Sequence, residues 1–279
     1  MNEKIIAITG ASDGIGAAAA RALKADGHAV VVVGRSRVKT EAIANELSAD
    51  CFVADFADLK EVRQLATDLQ TKYPRIDVLA NNAGGIFDHQ RTTDGYERTL
   101  QINHLAPFLL TNLLLPTLLA SGASVLNTSS AGAKLFGNIA IDDLNNDKNY
   151  SPNKAYGDAK LGNILFTREL HRRFHSRGLS AAAFHPGIVS TNFAHDTSSL
   201  MRLIYQTPLR GLIRMTTPDK GADTLVWLAE TSSGDAWDSG EFYVKRKVAK
   251  THAQAADAEL ARKYWEISAQ MVGLDTDNS

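Results

Sequence analysis

The chain has 279 residues, of which 44% are hydrophobic, and its 30 basic and 31 acidic side chains leave a formal net charge of −1 at pH 7. This length and composition are ordinary for a globular chain and fit one large α/β domain or two small ones. The balanced charge gives no support for a protein that binds nucleic acid, which usually carries a basic excess or a basic stripe.

Short apolar runs alternate with helix-forming segments along the chain. In the first half they predict strands over residues 4–9, 29–34, 50–54 and 76–80, and helices over residues 17–25, 38–47 and 59–73. The second half predicts strands over 124–128, 179–185 and 240–245, and helices over 94–119, 151–177, from 218 and over 255–272. This alternation indicates an α/β fold with a parallel sheet covered by helices on both faces.

The turn between the first strand and the first helix is rich in glycine, with the spacing G-x-x-x-G-x-G. Glycines in such a turn let the backbone approach a phosphate, and the helix N-terminus adds free N–H groups and a positive dipole end. The spacing differs from the usual G-x-G-x-x-G dinucleotide fingerprint, so a tight structural turn stays open as an alternative. The candidate cofactor-binding residues of this turn are Gly10, Ser12, Asp13, Gly14, Ile15 and Gly16.

The end of the second strand bears on the choice of nicotinamide cofactor. An NAD site usually places an acid here for the ribose 2′-hydroxyl, whereas an Arg suits the 2′-phosphate of NADP. Gly34 stands where the acid is expected, Arg35 follows it, and Arg37 lies two residues further on. We interpret Arg35 as the NADP selector and Arg37 as a candidate helper; solvated turn residues are the alternative. The sequence thus favours NADP(H) and leaves NAD(H) open.

Two more strand ends carry candidate cofactor contacts. Asp55, which Phe56 follows, could accept a hydrogen bond from the adenine amine, or it could cap the next helix. Asn82, Ala83 and Gly84 follow the fourth strand, where side-chain amides could brace the sheet near the cofactor ribose. Ordinary turn chemistry is the alternative for these three residues.

Tyr156 and Lys160 are four residues apart in a predicted helix, so they share one helix face. A phenol titrates at about pH 10 in water, and a nearby ammonium lowers its pKa by favouring the phenolate. The pair therefore indicates an acid/base group tuned for proton transfer. Taken alone, the same pair is more often part of an ordinary amphipathic helix.

Asn103 and the pair Ser129-Ser130 are further polar candidates. Asn103 lies in an apolar helix, where it could be a buried amide or could hold a water for proton traffic. Ser129-Ser130 follows the fifth strand, at the sheet edge where ligands of such folds bind. An ordinary turn is the alternative for the serine pair.

Six motifs in this order resemble the short-chain dehydrogenase/reductase family, over about residues 4–191. They are Thr9-Gly10…Gly14…Gly16, Asn81-Asn82-Ala83-Gly84, Asn103, Ser129-Ser130, Tyr156…Lys160 and His185-Pro186-Gly187. Residues 102–105, 108–114, 161–170 and 264–274 are similar to the retinol-dehydrogenase-like branch. The resemblance implies a single Rossmann-type domain over residues 1–279, doubly wound, with seven parallel strands in the order 3-2-1-4-5-6-7.

The resemblance also implies a role for each candidate. Tyr156 would give a proton to the substrate oxygen that Ser130 polarises, while Lys160 would hold the nicotinamide ribose and lower the Tyr156 pKa. Asn103 would order a water that relays protons to Lys160. Four residues after the sixth strand would contact the nicotinamide end or the pyrophosphate of the cofactor: Pro186, Gly187, Ile188 and Thr191.

Two departures from the family pattern concern the site. Ala106-Pro107 replaces the Gly-His pair usual after Asn-His-Leu, and Asp13 stands where some NADP-dependent members carry a basic residue. The second departure leaves Arg35 as the main indication of NADP(H). The vertebrate members also commonly carry an N-terminal membrane anchor, which we do not expect here.

The second half adds a polar loop over residues 134–153 and an apolar segment over residues 192–217 with interspersed arginines. The acids of the loop lack His or Cys partners, so we expect no metal site. The apolar segment is typical of a lid over a lipophilic substrate. An amphipathic surface that touches a membrane is the alternative.

We therefore expect an NADP(H)-dependent carbonyl reductase or alcohol dehydrogenase that acts on a small-molecule substrate. An epimerase or dehydratase with the same Tyr-Lys pair is one alternative, and a non-catalytic NADPH-sensing or partner-binding protein is another. The family often pairs the helices around Asn103 and Tyr156 between subunits, so a homodimer, a homotetramer and a monomer all stay open.

The expected location is the cytoplasm. The single cysteine, Cys51, cannot form an internal disulfide, which fits a reducing compartment. The sequence has neither a run of about eighteen apolar residues nor the apolar region of a secretion signal, so it predicts no stable membrane insertion.

Overall fold

A computed structural model describes residues 3–187 and 216–274. Their strands form one sheet in the order β3-β2-β1-β4-β5-β6-β7-β8, in which β1 to β7 pair in parallel. This order confirms the predicted doubly wound sheet. The strands are β1 (Ile5–Thr9), β2 (Ala29–Gly34), β3 (Asp50–Val53), β4 (Val78–Asn81), β5 (Ser124–Thr128), β6 (Ser180–His185), β7 (Phe242–Val244) and β8 (Lys247–Val248).

The eighth strand is the one difference from the predicted sheet. β8 pairs antiparallel with β7 through a two-residue turn, in which Lys245 and Arg246 have φ values of 52° and 62°. Tight hairpins of this kind usually place Asn or Gly where φ is positive. Lys-Arg carries no such signal, so the short strand could not be recognised in the sequence.

The helices agree with the predicted segments within a few residues, apart from the long one predicted over 94–119 and a short helix, Gly132–Leu135, that was not predicted. The long helix begins at Arg98 and contains a π-helical turn, Gln101–Leu105, which carries Asn103. The helices are α1 (Gly14–Ala25), α2 (Arg37–Leu47), α3 (Leu59–Lys72), α4 (Arg98–Leu100), α5 (Ala106–Ala120), α6 (Gly132–Leu135), α7 (Pro152–Phe174), α8 (Pro218–Glu230) and α9 (Ala258–Met271).

The central strands are apolar without interruption because both faces of the sheet are covered. Successive side chains point to opposite faces, so Ile6 and Ile8 pack with residues of α1 and α8, whereas Ala7 packs with residues of α3 and α5. Two hydrophobic cores result, one on each side of the sheet. The carboxyl ends of the parallel strands then meet along one edge, where the candidate site residues lie.

The C-terminal helix α9 packs along α7 and reaches α5. The Trp265 ring of α9 is buried, with its centroid 4.9 Å from that of Phe108 on α5 and 5.5 Å from that of Phe166 on α7. Aromatic pairs at these distances contribute both buried area and ring–ring attraction. α9 therefore covers part of the surface of both helices within the same chain.

One helical stretch among the described residues, 98–120, is long and apolar enough to span a membrane by length and composition alone. Its most apolar window is 72% buried inside the protein. A core helix of a folded domain passes the same test, so this stretch gives only weak support for a membrane span.

The predicted lid, residues 192–217, lies outside the described residues except for Thr216 and Thr217. Thr217 precedes α8, and its Oγ1 accepts a hydrogen bond from the backbone N–H of Lys220 at 3.4 Å. This bond caps the N-terminus of α8.

Gly162 on α7 sets how closely α9 approaches. A Cβ at Gly162 would overlap Tyr264 Oη and lie 2.6 Å from Tyr264 Cζ on α9. Alanine is the better helix former by about 1 kcal/mol, but a clash with a fully buried ring costs roughly 1–3 kcal/mol. We expect Gly162→Ala to lower the free energy of unfolding, as measured by urea denaturation.

The matched control is a double variant that removes the obstructing ring. Adding Gly162→Ala to Tyr264→Leu should cost much less than adding it to the parent chain, because the clash partner is gone. Equal costs in both backgrounds would show that helix α9 does not rest against Gly162.

Candidate active site

Tyr156 and Lys160 lie on one face of α7, as their spacing predicted. The Nζ atom of Lys160 is 5.6 Å from the centroid of the Tyr156 ring. The start of α7 is held by Ser151, whose Oγ accepts a hydrogen bond from the N–H of Lys154 at 3.2 Å. Pro152 occupies the first turn, where its missing N–H costs nothing. The cap and the proline fix the helix that places the pair.

Lys160 is buried, and its Nζ donates to the carbonyl oxygen of Thr128 at 3.2 Å. Thr128 is the last residue of β5, so the ammonium lies at the carboxyl edge of the sheet. Burial lowers the pKa of Lys160 to about 7, because removing the ammonium from water disfavours its charged form. A lysine with this pKa can gain or lose a proton near neutral pH.

Asn103 lies beside Lys160, and both side chains lie against the loop that follows β4. A Cβ at Gly84 would overlap Asn103 Oδ1 and lie 3.0 Å from Lys160 Nζ. The Asn103 side chain is committed to the backbone: its Nδ2 donates to Gly85 O and Thr99 O, both at 2.8 Å, and its Oδ1 accepts from Gly85 N at 3.1 Å. Asn103 therefore fixes the loop that carries Gly84 against Lys160.

Ser130 and Tyr156 meet at Gly132. A Cβ at Gly132 would lie 3.1 Å from Tyr156 Cε1 and 3.4 Å from Ser130 Oγ. Ser130 Oγ accepts a hydrogen bond from Gly132 N at 3.0 Å, which leaves its hydroxyl proton to donate elsewhere. Ser129 Oγ instead donates to the carbonyl oxygen of Lys160 at 2.7 Å. The structure thus gives Ser129 a role in holding α7 and places Ser130 beside the phenol.

The glycine turn after β1 is packed against the end of β4. A Cβ at Gly16 would overlap Gly10 O and lie 2.7 Å from Asn82 Nδ2. Asn82 Nδ2 donates to Thr9 O at 3.1 Å, and Thr9 Oγ1 accepts from Asn82 N and Ala83 N at 3.0 and 3.1 Å. β1 and β4 flank the point where the strand order reverses, which is where open α/β sheets bind ligands.

Gly14 and Ile15 begin α1 directly after this turn, and Asp13 is the helix N-cap. The Asp13 side chain accepts a hydrogen bond from Gly14 N at 2.7 Å and forms an ion pair with Lys39 Nζ at 3.0 Å. The acid that departs from the family pattern is therefore neutralised by a lysine of α2. The sequence did not single out Lys39 as a partner of Asp13, although a second cation four residues after Arg35 could have indicated it.

Gly34 has no room for a side chain. A Cβ there would lie 2.5 Å from Thr40 Oγ1 and 2.8 Å from Ser12 Oγ, so an acid at this position would collide with both. Arg35 is exposed at the end of β2, beside this turn. Arg37 instead pairs with Glu41 at 3.2 Å on the exposed face of α2. Ser12 therefore packs against Gly34, whereas the Arg37 side chain is paired with Glu41 on α2.

Asp55 and Phe56 make local structural contacts after β3. The Asp55 side chain accepts from Ala57 N at 2.9 Å in a local turn, whereas Asp58 caps α3, so helix capping is not the role of Asp55. The Phe56 ring is buried in the core, and its carbonyl oxygen accepts from Gln101 Nε2 at 3.3 Å.

His185 ends β6 next to Ser130. Its Nδ1 accepts a hydrogen bond from the N–H of Ala131 at 3.3 Å. Burial lowers the pKa of His185 to about 4, so the ring is neutral at physiological pH and keeps this acceptor. Pro186 and Gly187 follow at the same edge, and Gly187 has a φ of 90°. Ile188 and Thr191 lie outside the described residues.

No group of three or more His, Cys, Asp or Glu side chains that could hold a metal ion occurs within residues 3–187 and 216–274. The acids of the polar loop make local contacts instead: Asp143 accepts from the backbone N–H groups of Asp147 and Lys148 at 2.8 and 3.1 Å. These bonds order the loop that leads to α7.

A glycine-rich turn and a polar edge at the switch point of a doubly wound sheet are typical of proteins that bind a dinucleotide. The chain belongs to the short-chain dehydrogenase family, whose model, described as short chain dehydrogenase, matches residues 4–201. A protein assigned as a daunorubicin C-13 ketoreductase in Streptomyces sp. (strain C5) is 42% identical over 278 residues, which cover 97% of this chain and 93% of that protein. Human retinol dehydrogenase 14 is 36% identical over 299 residues, covering 98% of this chain and 88% of that protein. The retinol-dehydrogenase-like branch is thereby confirmed.

Two solved structures agree with this placement. An uncharacterised protein from Mycobacterium paratuberculosis superposes with a TM-score of 0.78 at 33% identity and covers 98% of this chain and 94% of its own. A short-chain dehydrogenase from Shigella flexneri, solved with NADP, gives a TM-score of 0.66 at 26% identity and covers 87% of this chain and 96% of its own.

The burial of Lys160 predicts a pH-dependent effect on stability. Its pKa is about 7 in the folded chain against an ordinary value of 10.5, so between these values the unfolded chain binds more protons. The penalty for burying the ammonium is fully present below the folded pKa and fades as the pH rises toward the unfolded pKa. We expect Lys160→Met to raise the free energy of unfolding of the cofactor-free protein at neutral pH.

This gain should shrink as the pH is raised from about 7 to about 10, because the parent chain then buries a neutral amine. Urea denaturation of parent and variant at several pH values in this window measures the difference. Lys60→Met, at an exposed position on α3, is the matched control. A gain from Lys160→Met that stays constant across the window would contradict the buried-ammonium account.

Proposed function

We propose that the protein is an NADP(H)-dependent oxidoreductase that transfers hydride between the nicotinamide and a lipophilic carbonyl or alcohol. The observation that carries the proposal is the convergence of Ser130, Tyr156 and Lys160 at the carboxyl edge of the sheet, where a Cβ added at Gly132 would lie within 3.4 Å of both Ser130 Oγ and the Tyr156 ring. A buried amine, a phenol and a hydroxyl at one edge are the groups that proton transfer to a reduced carbonyl needs.

The residues around the glycine turn fit a dinucleotide. A Cβ at Gly10 would collide with Ala83 and one at Gly16 with Gly10 O, so the two glycines allow the turn its close packing, and α1 directs its N-terminus at the same turn. When bound, NADP(H) supplies the hydride chemistry. Lys160 holds the nicotinamide ribose in this proposal, and Asn82 and Asn103 support the backbone that surrounds it.

Tyr156 is the proton donor to the carbonyl oxygen during reduction and the acceptor during oxidation. The nearby Lys160 ammonium stabilises the phenolate and so eases proton release. Ser130 donates its hydroxyl proton to the same substrate oxygen as that oxygen gains charge. A water held at Asn103 passes protons to Lys160; because its side chain is committed to Gly85 and Thr99, this role falls to its backbone carbonyl.

The cofactor preference rests on charge at the end of β2. Gly34 admits no acid for a ribose 2′-hydroxyl, and Arg35 offers a guanidinium suited to a phosphate. Lys39 neutralises Asp13, which would otherwise repel a 2′-phosphate. The related Shigella structure holds NADP, which supports the preference. NAD(H) is the weaker cofactor in this proposal.

The proposed substrate is apolar. Leu135, the last residue of α6, and Phe136, which follows it, are exposed, and this helix begins beside Ser130 and Tyr156. Relatives named as retinol dehydrogenases support a lipophilic alcohol, and the relative named as a ketoreductase supports a carbonyl substrate. We propose that residues 192–217 cover this surface as a lid.

We further propose a cytoplasmic protein without stable membrane insertion and without nucleic-acid partners. We propose a homodimer or homotetramer in which α9 stays packed against α5 and α7 of its own chain. A non-catalytic NADPH sensor would need no proton donor. Cofactor consumption over a panel of ketones, aldehydes and alcohols separates the enzyme from such a sensor.

Tyr156→Phe tests the proton donor. We expect NADPH affinity within about threefold of the parent value and a fall in kcat of several orders of magnitude, since only the reacting hydroxyl is lost. Fluorescence titration with NADPH and steady-state reduction of the best panel substrate measure the two quantities. A parallel loss of affinity and turnover would make Tyr156 a structural residue.

Arg35→Ala tests the cofactor preference. We expect NADPH affinity to fall about 10- to 100-fold, from the loss of roughly 1.5–3 kcal/mol of charged hydrogen bonding, while NADH affinity changes little. Lys39→Ala should weaken NADPH binding less, and Arg37→Ala is the matched control because its partner is Glu41. Equal affinity of the parent protein for NADH and NADPH would disprove the preference.

A further inference from the structure

Asn163, His104 and Ser268 form a buried polar chain from α9 to the Lys160 site, and none of the three has a role in the proposed mechanism. Asn163 lies about one helical turn after Lys160 on α7. Its Nδ2 donates to the carbonyl oxygens of Asn103 at 3.1 Å and Thr128 at 3.0 Å. The Thr128 oxygen is also the acceptor for Lys160 Nζ at 3.2 Å. Asn163 therefore holds the atom against which Lys160 is placed.

The chain continues away from the site through His104. His104 Nδ1 lies 3.3 Å from Asn163 Oδ1, and His104 Nε2 lies 2.9 Å from Ser268 Oγ on α9. His104, Asn163 and Ser268 are all buried. Gly162, without a Cβ, lets α9 approach closely enough for Ser268 to reach the ring.

The direction of each hydrogen bond follows from the acceptors at the inner end. The carbonyl oxygens of Asn103 and Thr128 only accept, so the Asn163 amide nitrogen must face them and its oxygen must face His104. His104 Nδ1 then carries the proton, and Nε2 accepts from the Ser268 hydroxyl. Burial lowers the pKa of His104 to about 3, so the ring is neutral and a single tautomer fits.

Pro107 explains why Asn103 needs this side-chain donor. In a regular α-helix the carbonyl of residue 103 would accept the N–H of residue 107, which is a proline and has none. The π-helical turn over Gln101–Leu105 lies at the same place. Asn163 Nδ2 satisfies the carbonyl that the proline leaves without its helical donor.

We propose that Asn163 is a positioning residue for Lys160, and that His104 and Ser268 hold the Asn163 amide in the orientation this requires. Asn163 fixes the Thr128 carbonyl oxygen that accepts from Lys160 Nζ, and it ties the Asn103 backbone to the same helix. Ser268 selects the His104 tautomer; without it the ring can turn its unprotonated nitrogen to Asn163 Oδ1 and repel it. The inference deepens the proposed function, since it assumes that Lys160 acts in the reaction.

Asn163→Leu removes both donors at similar volume. We expect kcat to fall about 10- to 100-fold through misplacement of Lys160, with the KM for the carbonyl substrate within about threefold of the parent value. Ser268→Ala, at the far end, should lower kcat by about 2- to 10-fold, the loss of a single hydrogen bond. The double variant should be no slower than Asn163→Leu alone, because Ser268 acts only through Asn163.

Thr167→Val is the matched control. Thr167 lies one turn further along α7, donates to the backbone oxygen of Asn163 at 2.8 Å and accepts a buried hydrogen bond from Asn127 Nδ2 at 2.9 Å, but neither bond involves the Asn163 amide group or the Thr128 oxygen. Its kcat should stay within about threefold of the parent value. If Asn163→Leu lowers kcat no more than Thr167→Val, or if the Asn163 and Ser268 effects multiply, the positioning role is wrong.

A second measurement needs no turnover. The ultraviolet absorbance of phenolate, taken as the difference between each protein and its Tyr156→Phe counterpart, reports the titration of Tyr156. Titrated with saturating NADP⁺, the condition in which the proposed function gives Lys160 its charge, Asn163→Leu and Ser268→Ala should raise this midpoint, by about half a pH unit or more for Asn163→Leu, because Lys160 is displaced. An unchanged midpoint in both variants overturns the proposal. Absence of any turnover in the parent protein overturns the proposed function instead, and the titration still decides the role of Asn163.

Discussion

The site depends on one buried cation. Lys160 lies inside the protein, with its Nζ 3.2 Å from the Thr128 carbonyl oxygen. Removing an ammonium from water is costly, and a pKa of about 7 shows that the surroundings only partly compensate. The fold accepts this cost at the edge of the sheet where Ser130 and Tyr156 also lie. The glycines, amides and serines around Lys160 are arranged to hold the backbone close to it.

The doubly wound sheet supplies that arrangement. Parallel strands end at one edge, so residues that follow β1, β4, β5 and β6 come together although they are far apart in the chain. Asn82 ties β1 to β4, and Ser129 ties β5 to α7. Each bond joins two elements at the edge, which makes the site rigid before any cofactor binds.

The charges around the glycine turn show how a departure from a family pattern can be compensated. Asp13 places an anion at the N-terminus of α1, where it caps the helix and is stabilised by the positive end of the helix dipole. The same anion would oppose a phosphate, and Lys39 pairs with it from the neighbouring helix. The pair is exposed, so its contribution to stability is small. The pair matters for the local charge, because Lys39 offsets the negative charge of Asp13 that a cofactor phosphate would encounter.

The sequence by itself determined the order and kind of the elements, because uninterrupted apolar strands and 3.6-residue periodicity follow from burial on a two-sided sheet. It also determined that Tyr156 and Lys160 share a helix face, since four residues make about one turn. It could not show β8, whose Lys245-Arg246 turn lacks the usual residues, nor the pairing of Lys39 with Asp13. Only the tertiary structure decided that Ser129 holds α7 while Ser130 faces the phenol, and that Ser268 is connected to Lys160. Those relations join residues distant in the chain through single hydrogen bonds, and no local pattern of residues records such bonds.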